Sequence, residues 1–216
     1  MTDGRPVVPR PSELDPLIEA IASGTRLVRV HPRSRGPLQF NPTVVPGRFR
    51  PVLDSTGAPV PTAYTALDIE TAISEVVLRG VSGLARSASR QRLYRLEIAE
   101  LQLSMLITRR ALRVVRLHGV GLTRLGLLRE HLIDTLESEY LYTAEWASAL
   151  YGVRARPHGL CCTSRQNDSG RALLLWETRL PRDALELQVP GIALDREPGL
   201  ELARLVCADA GIDFEG

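Results

Sequence analysis

The sequence predicts an α+β fold in a single domain. Residues 101–107 alternate in the way a half-buried strand does, whereas residues 69–77 repeat apolar side chains at helical spacing. The two patterns do not alternate regularly enough along the chain for a doubly wound sheet. With 216 residues, 44% of them hydrophobic, the chain can bury a substantial core and still form one domain.

The first 24 residues are predicted to be a lead-in that ends in a short helix, and the domain proper is assigned to residues 25–216. Residues 1–12 are rich in proline and polar side chains, which is typical of a loose segment. The helix is predicted to end at Gly24. Four apolar side chains at helical spacing define that helix: Leu14, Leu17, Ile18 and Ile21.

The remaining elements follow in an irregular order. Residues 25–30 predict a strand, and residues 32–61, with many prolines and glycines, predict a loop with at most a short strand. A loop of this length is usually functional. Asp68 is predicted to cap a helix, and Gly80 stands where its C-terminal glycine is expected. Further strands are predicted at 101–107, 112–117, 172–176 and 185–189, a long helix at 128–150 and a final helix at 200–208.

Composition and charge exclude several classes of protein. All 27 basic side chains are arginine, yet the net charge is only +2, so no strong field attracts nucleic acid or an anionic membrane. The arginines of residues 86–95 offer a contact with RNA, although a solvated basic face is the more common meaning of such a stretch. The apolar runs are too short to cross a bilayer, and the N-terminus lacks the apolar segment of a secretory signal.

Motifs for other chemistries are missing from the sequence. Cys161 and Cys162 are adjacent and Cys207 is distant, which matches neither a disulfide framework nor a zinc motif, and the four histidines are scattered. The sequence contains no nucleophile elbow, no P-loop and no complete dinucleotide fingerprint. We therefore expect a reduced, cytoplasmic protein without a metal site.

A string of polar residues, set one by one into apolar segments, is the main functional signal. Taken singly, each has an ordinary role as a surface arginine, a strand aromatic, a solvated glutamate or a turn serine. Together they can grip a pyrophosphate, stack on a flat ring and stabilise positive charge developing on a sugar. Gly47 precedes one arginine and would let the backbone approach a ligand. The string is Arg29, Arg48, Tyr64, Glu75 and Ser164, which Arg165 follows.

These segments, in this order, resemble the RES-domain family, the NAD-consuming toxins of bacterial toxin–antitoxin pairs. The resemblance covers about residues 26–176, and its most specific part is a tyrosine and a glutamate eleven positions apart. At Cys162 the family commonly has an aromatic residue, which leaves open whether this part of the pocket stacks on a ligand or only packs. The matching segments are Leu-Val-Arg-Val-His at 27–31, Gly-Arg-Phe at 47–49, Ala-Tyr-Thr-Ala at 63–66, Glu-Thr-Ala-Ile-Ser-Glu at 70–75, Tyr-Thr-Ala-Glu-Trp-Ala at 142–147 and Gly-Leu-Cys-Cys-Thr-Ser-Arg at 159–165.

The resemblance implies a fold related to the ADP-ribosyltransferase toxins: a split antiparallel sheet, flanked by helices, with NAD in the cleft. NAD would be the substrate, with phosphate as a co-substrate if cleavage is phosphorolytic, and neither a prosthetic group nor a metal is required. The implied catalytic residues are Glu75, Arg29 and Ser164. Glu75 would stabilise the oxocarbenium-like ribose. The implied NAD-binding residues are Arg29 and Arg48 at the phosphates, Tyr64 at nicotinamide, and Ser164 with Arg165 at the ribose or amide.

The resemblance also implies a partner, a cognate antitoxin. This would be a small helix-turn-helix DNA-binding protein that covers the active site in a hetero-oligomer, while the chain itself contacts neither nucleic acid nor membrane. Two alternatives stay open: a protein ADP-ribosyltransferase, in which label from NAD stays on a protein, and a non-catalytic partner-binding domain, which leaves NAD unchanged. The sequence does not distinguish water, phosphate and protein as the acceptor.

Overall fold

A computed structural model describes residues 5–79 and 92–216. Its main element is an eight-stranded sheet. Its strands are β1 (Ile18–Ile21), β2 (Arg26–Pro32), β5 (Thr62–Ala66), β7 (Leu101–Thr108), β8 (Leu112–Leu117), β9 (Gly159–Thr163), β10 (Arg171–Trp176) and β11 (Leu185–Ala193). Two small sheets pair β3 (Val52–Leu53) with β4 (Pro59–Val60) and β6 (Arg92–Tyr94) with β12 (Asp213–Glu215). The helices are α1 (Ile69–Val77), α2 (Val120–Arg124), α3 (Arg129–Leu132), α4 (Tyr140–Tyr151) and α5 (Gly199–Asp209).

The strand order is β1-β8-β9-β10-β5-β2-β7-β11, and the sheet is divided near its middle. Neighbouring strands are antiparallel except β8 and β9, which run parallel. A parallel pair requires a long crossover, and the chain supplies one through α2, α3 and α4. Strands β2 and β5 are aligned only at Val28 and Ala66, so they diverge on either side of this point. The α+β prediction is confirmed.

Two apolar cores lie on the same face of the sheet, one on each side of the division. Helix α4 contributes Trp146 to the core over β8, β9 and β10, while α1 and α5 contribute Ile73 and Ala203 to the core over β2 and β7. Helix α1 forms as predicted, because the Asp68 carboxylate accepts a hydrogen bond from the Thr71 backbone N–H at 2.6 Å. This helix therefore sits beside the gap between the two cores.

The predicted N-terminal helix is wrong, because residues 18–21 form the edge strand β1. Ile18 packs against the core beneath α4 and Ile21 packs in a core on the other face, which is the alternation of a strand. Pairing with β8 makes residues 18–21 a strand. Before this strand, residues 11–13 form a short 3-10 turn. Gly24 does mark a reversal, with φ of 83°.

The predicted long helix at 128–150 is also wrong, because it is interrupted between α3 and α4. The Thr135 carbonyl, which a continuous helix would bond internally, accepts a hydrogen bond from Arg165 Nη1 at 2.7 Å instead. Arg129 in α3 also bonds Asp134 at 2.8 Å and Asp168 at 2.6 Å. The interruption therefore connects this segment to the loop after β9.

Most other predicted elements agree with the structure. The predicted strands correspond to β2, β7, β8, β10 and β11, and the final helix to α5. The long loop contains two short strands, β3 and β4, where at most one was predicted. Gly80 and residues 86–91 of the basic stretch lie outside the described residues. Of the helices in the described part of the chain, none has the length and apolarity needed to cross a membrane.

Candidate active site

A cavity of about 300 Å³ opens where β2 and β5 diverge. Consecutive residues of β2, Val28 and Arg29, both line it, as do Tyr64 and Thr65 of β5. Neighbouring side chains of a strand point to opposite faces, so the cavity reaches into the gap between the strands. Four of the residues singled out from the sequence line this cavity: Arg29, Arg48, Tyr64 and Glu75.

Glu75 is held by one of its oxygens, and its other oxygen faces an arginine. Its Oε1 accepts hydrogen bonds from Ser164 Oγ at 2.6 Å and from the Arg165 backbone N–H at 2.7 Å. Its Oε2 lies 3.6 Å from Arg48 Nη2, which is a loose ion pair. The glutamate lies off the apolar stripe of α1 because it faces this polar cleft. It is therefore a fixed carboxylate with one oxygen available to a ligand.

Ser164 lies behind Glu75, fully buried, and is not among the residues that line the cavity. Its Oγ donates to Glu75 and accepts from the backbone N–H groups of Gln166 and Asn167 at 3.1 and 3.0 Å. The hydroxyl thus fixes both the loop after β9 and the carboxylate. A contact between Ser164 and the ribose or amide of a ligand stays a prediction.

Arg165 is also placed outside the cavity lining, and its ligand contact likewise stays a prediction. Its backbone binds Glu75, and its side chain binds the Thr135 carbonyl. Arg129 supports the same loop, since its Nη2 lies 3.4 Å from the Ser164 carbonyl and binds Asp168. Sequence reasoning missed Arg129, because a helical arginine in an arginine-rich chain gives no distinctive signal.

The second arginine motif forms a tight turn. Two backbone hydrogen bonds join Gly47 and Arg50, at 3.2 and 2.8 Å. Phe49 has a φ of 67° and is buried, with its N–H donating to Thr143 Oγ1 at 3.3 Å. The buried ring anchors the turn, so Arg48 and Arg50 project into the cavity side by side.

Tyr64 packs against this turn. Its hydroxyl donates to the Arg48 carbonyl, and the Arg50 guanidinium lies over its ring, 5.4 Å from the centroid. Burial raises the pKa of Tyr64, and the neighbouring arginines oppose that shift. The phenol therefore stays protonated and keeps its hydrogen bond, with one ring face covered by Arg50. Stacking on nicotinamide stays a prediction.

Arg29 is buried, and loop carbonyls occupy its terminal nitrogens. Nη1 donates to the Pro37 carbonyl and Nη2 to the Gln39 carbonyl, each at 2.7 Å. Burial, together with the charge of Arg35, lowers the pKa of Arg29 to about 10. Arg29 stays charged at neutral pH, but its bonded atoms fix the loop at residues 35–41, which borders the cavity. Its contact with a ligand stays a prediction.

Residues 26–197 match the sequence pattern of the RES domain family. The chain belongs to the RES domain family. A solved chain of the M. tuberculosis MbcT–MbcA toxin–antitoxin complex is similar in fold, with a TM-score of 0.61 and 16% sequence identity. The match covers 86% of this chain and 92% of that one. Among curated protein sequences there is no significant match.

At Cys162 the resemblance implies an aromatic residue that either stacks on a ligand or only packs. Its thiol packs in the core beneath α4, 3.6 Å from the Ala172 carbonyl, and it also lines the cavity. Burial raises the pKa of Cys162 to about 12, so the thiol is protonated at neutral pH. At this place the wall of the cavity is therefore a packed, uncharged side chain.

The RES-domain cavity is strongly cationic. Within the described residues, its charged lining consists of Glu75 and five arginines, three of which were not singled out from the sequence: Arg35, Arg50 and Arg79. The buried Nε atoms of Arg48, Arg50 and Arg79 have no hydrogen-bond acceptor in the described part of the chain. Buried donors without acceptors cost about 1–3 kcal/mol each, so the cavity favours a ligand rich in anionic oxygens.

Proposed function

We propose that this RES-domain chain is the toxin of a toxin–antitoxin pair and cleaves the nicotinamide–ribose bond of NAD. The supporting observation is the fixed Glu75 carboxylate beside arginines whose buried Nε donors lack an acceptor among the described residues. NAD carries two phosphates and a ribose that becomes oxocarbenium-like as nicotinamide leaves. A cavity with many donors and one oriented carboxylate suits both parts of that molecule.

Each group has a place in this reaction. Oε2 of Glu75 would stabilise positive charge on the ribose more in the transition state than in bound NAD. Arg48 would bind the pyrophosphate or an acceptor phosphate, with Arg29 beside it, and Tyr64 would stack on nicotinamide. Ser164 and Arg165 act through Glu75, which they position, in addition to any contact with the ribose or amide.

The test is incubation of the purified chain, free of any partner, with NAD. We expect nicotinamide to be released, which chromatography measures. ADP-ribose as the second product would identify water as the acceptor, an ADP-ribose phosphate would identify added phosphate, and label retained on protein would identify ADP-ribosyl transfer. NAD that is intact after long incubation at high protein concentration would contradict every version of the proposal and favour a binding domain.

The partner we propose is a cognate antitoxin that covers the cavity in a hetero-oligomer, namely a small helix-turn-helix DNA-binding protein. In the structure that shares this fold, the toxin is in complex with an antitoxin. The loop beside the cavity exposes Leu38, Val44 and Val45, which a partner would bury. A cytoplasmic NAD-cleaving enzyme needs such control. Expression of this chain alone should arrest growth, and normal growth with the intact protein present would contradict the proposal.

A further inference from the structure

A second group of polar side chains lies outside the cavity. Glu19 of β1, His118 directly after β8 and Cys161 of β9 bring a carboxylate oxygen, an imidazole nitrogen and a thiol sulfur within 4.8 Å of one another. We propose that these three side chains form a binding site for a divalent transition-metal ion, with zinc as the best fit. The site is separate from the proposed NAD site and does not depend on it.

The ligand atoms lie close to a zinc arrangement. Zinc binds nitrogen, oxygen and sulfur ligands tetrahedrally at about 2.0–2.3 Å, which places ligand atoms roughly 3.3–3.7 Å apart. His118 Nε2 is already 3.1 Å from Glu19 Oε1. A mixed set that includes sulfur favours zinc over magnesium or calcium. His118 also borders a second cavity, through which water would reach the fourth coordination position.

The charges around the group are compatible with a divalent ion. The Cys161 thiolate and the Glu19 carboxylate together neutralise it, and the thiol proton passes to solvent on binding. Arg116 Nε lies 3.9 Å from Glu19 Oε2 and has no hydrogen-bond partner among the described residues. Because Arg116 approaches the other carboxylate oxygen, Oε1 is left on the side of His118, and Arg116 would orient the carboxylate from outside.

A metal at this place would join three neighbouring strands of the sheet. Glu19 and His118 are 99 residues apart in sequence, so the ligands do not form a recognisable metal-binding motif. Strand β1 is short and lies at the edge of the sheet. A metal bond from Glu19 would fix this edge strand to β8 and β9, so we expect the bound ion to stabilise this edge of the sheet.

The test is a titration of the metal-free full chain with Co²⁺, which replaces zinc and reports its ligands by absorption. We expect visible bands of tetrahedral cobalt and a near-ultraviolet thiolate-to-cobalt band. Cys161→Ser should remove the thiolate band, while Cys207→Ser, which changes a buried thiol in α5, should keep it. Zinc at 100 times its Kd should raise the melting temperature of the native chain by about 5–10 °C.

A second variant keeps the test decisive if Cys161→Ser does not fold. His118→Gln alters a side chain that is 12% exposed, and should weaken Zn²⁺ binding in equilibrium dialysis at least ten-fold. Cobalt bound without a thiolate band, or Zn²⁺ bound equally by His118→Gln and the native chain, would overturn the site. Neither measurement depends on NAD cleavage, so the two proposals can fail separately.

Discussion

Glu75 and Arg29 are both charged residues on the cavity wall, but their polar atoms are used differently. Ser164 and Arg165 bind one oxygen of Glu75, and the other oxygen faces the cavity with only a loose pairing to Arg48. Arg29, in contrast, gives both terminal nitrogens to loop carbonyls. A residue with a polar atom that the protein does not bond can therefore contact a ligand, whereas a residue whose terminal polar atoms are all bonded shapes the cavity.

The same difference separates the arginines. Nε of Arg48, on the turn at residues 47–50, is a buried donor without an acceptor among the described residues. Arg29, by contrast, has no buried nitrogen that lacks an acceptor there. A ligand that supplies anionic oxygens would therefore gain more from Arg48. The comparison predicts that the effect of a substitution at the cavity depends on the atoms it removes. Loss of an atom that contacts the ligand should change turnover or substrate affinity, whereas loss of an atom bonded to the protein should change the order of the neighbouring loop.

The largest effect is expected from Glu75→Gln. Glutamine keeps the oxygen that accepts from Ser164 and Arg165 but removes the negative charge near the ribose. If that charge stabilises the transition state, kcat for nicotinamide release should fall by about 10² or more. Steady-state kinetics measures this fall.

Glu70→Gln is the matched control, because Glu70 is exposed on the same helix and its contact with Asn167 Nδ2 needs only an oxygen acceptor. It should change activity little, and its stability should stay within roughly ±0.5 kcal/mol of the native value. Equal activity of the two variants would remove Glu75 from the proposed chemistry.

A smaller effect is expected from Ser164→Ala. The variant removes a donor to Glu75 and the acceptor for two partly buried N–H groups of the loop after β9. We expect kcat to fall roughly ten-fold, because the carboxylate is less well positioned. We also expect the free energy of unfolding to fall by about 1–3 kcal/mol. Kinetics and urea unfolding measure the two quantities.

The KM of Ser164→Ala distinguishes its two roles. An unchanged KM indicates that Ser164 acts through Glu75, whereas a raised KM indicates the direct contact with the ribose or amide. Ser148→Ala is the control: its Oγ also bonds the backbone, at Leu53 N–H and the Ala144 carbonyl, away from the cavity. The Ser148→Ala variant should be less stable than the native chain but keep its kcat.

The sequence predicted the fold best where the pattern of burial is local. Helix α1 has both an apolar stripe and a capping aspartate, and β7 alternates, so each was recognised. The pattern failed at β1, where apolar residues three apart fit both a helix and a strand that is buried on both faces. It failed again between α3 and α4, because the Thr135 carbonyl bonds a residue 30 positions away.

The site could likewise be predicted only where its residues stand in local sequence motifs. The motifs contained Arg48, Tyr64 and Glu75, which the structure places around one cavity. They did not show that Ser164 lies behind Glu75, since that contact spans 89 residues. Arg35, Arg50 and Arg79 were missed because each is one of many arginines, and only the fold brings them to the cavity.

Arg29→Lys should affect the loop at residues 35–41 more than the chemistry. Lysine keeps the charge but lacks the planar fork that reaches the Pro37 and Gln39 carbonyls together. We expect trypsin to cleave after Arg35 several-fold faster, since cleavage follows the population of the open loop. Arg26→Lys, an exposed change on the same strand, is the control. A native cleavage rate in Arg29→Lys, with a raised KM, would instead favour a phosphate contact.

The smallest effect is expected from pH, through His31 beside Arg29. Burial, and then the charge of Arg29, lowers the pKa of His31, whose Nε2 lies 2.9 Å from Ser104 Oγ. The folded state therefore binds fewer protons than the unfolded state, where the pKa is about 6.5. This stability is present above pH 6.5 and is lost as the pH falls through the folded pKa, by at most about 1.4 kcal/mol per pH unit. Urea unfolding of the native chain and of His31→Gln should differ most at pH 7.5 and converge toward pH 5. Parallel pH profiles of the two would show that the pKa of His31 does not change on folding.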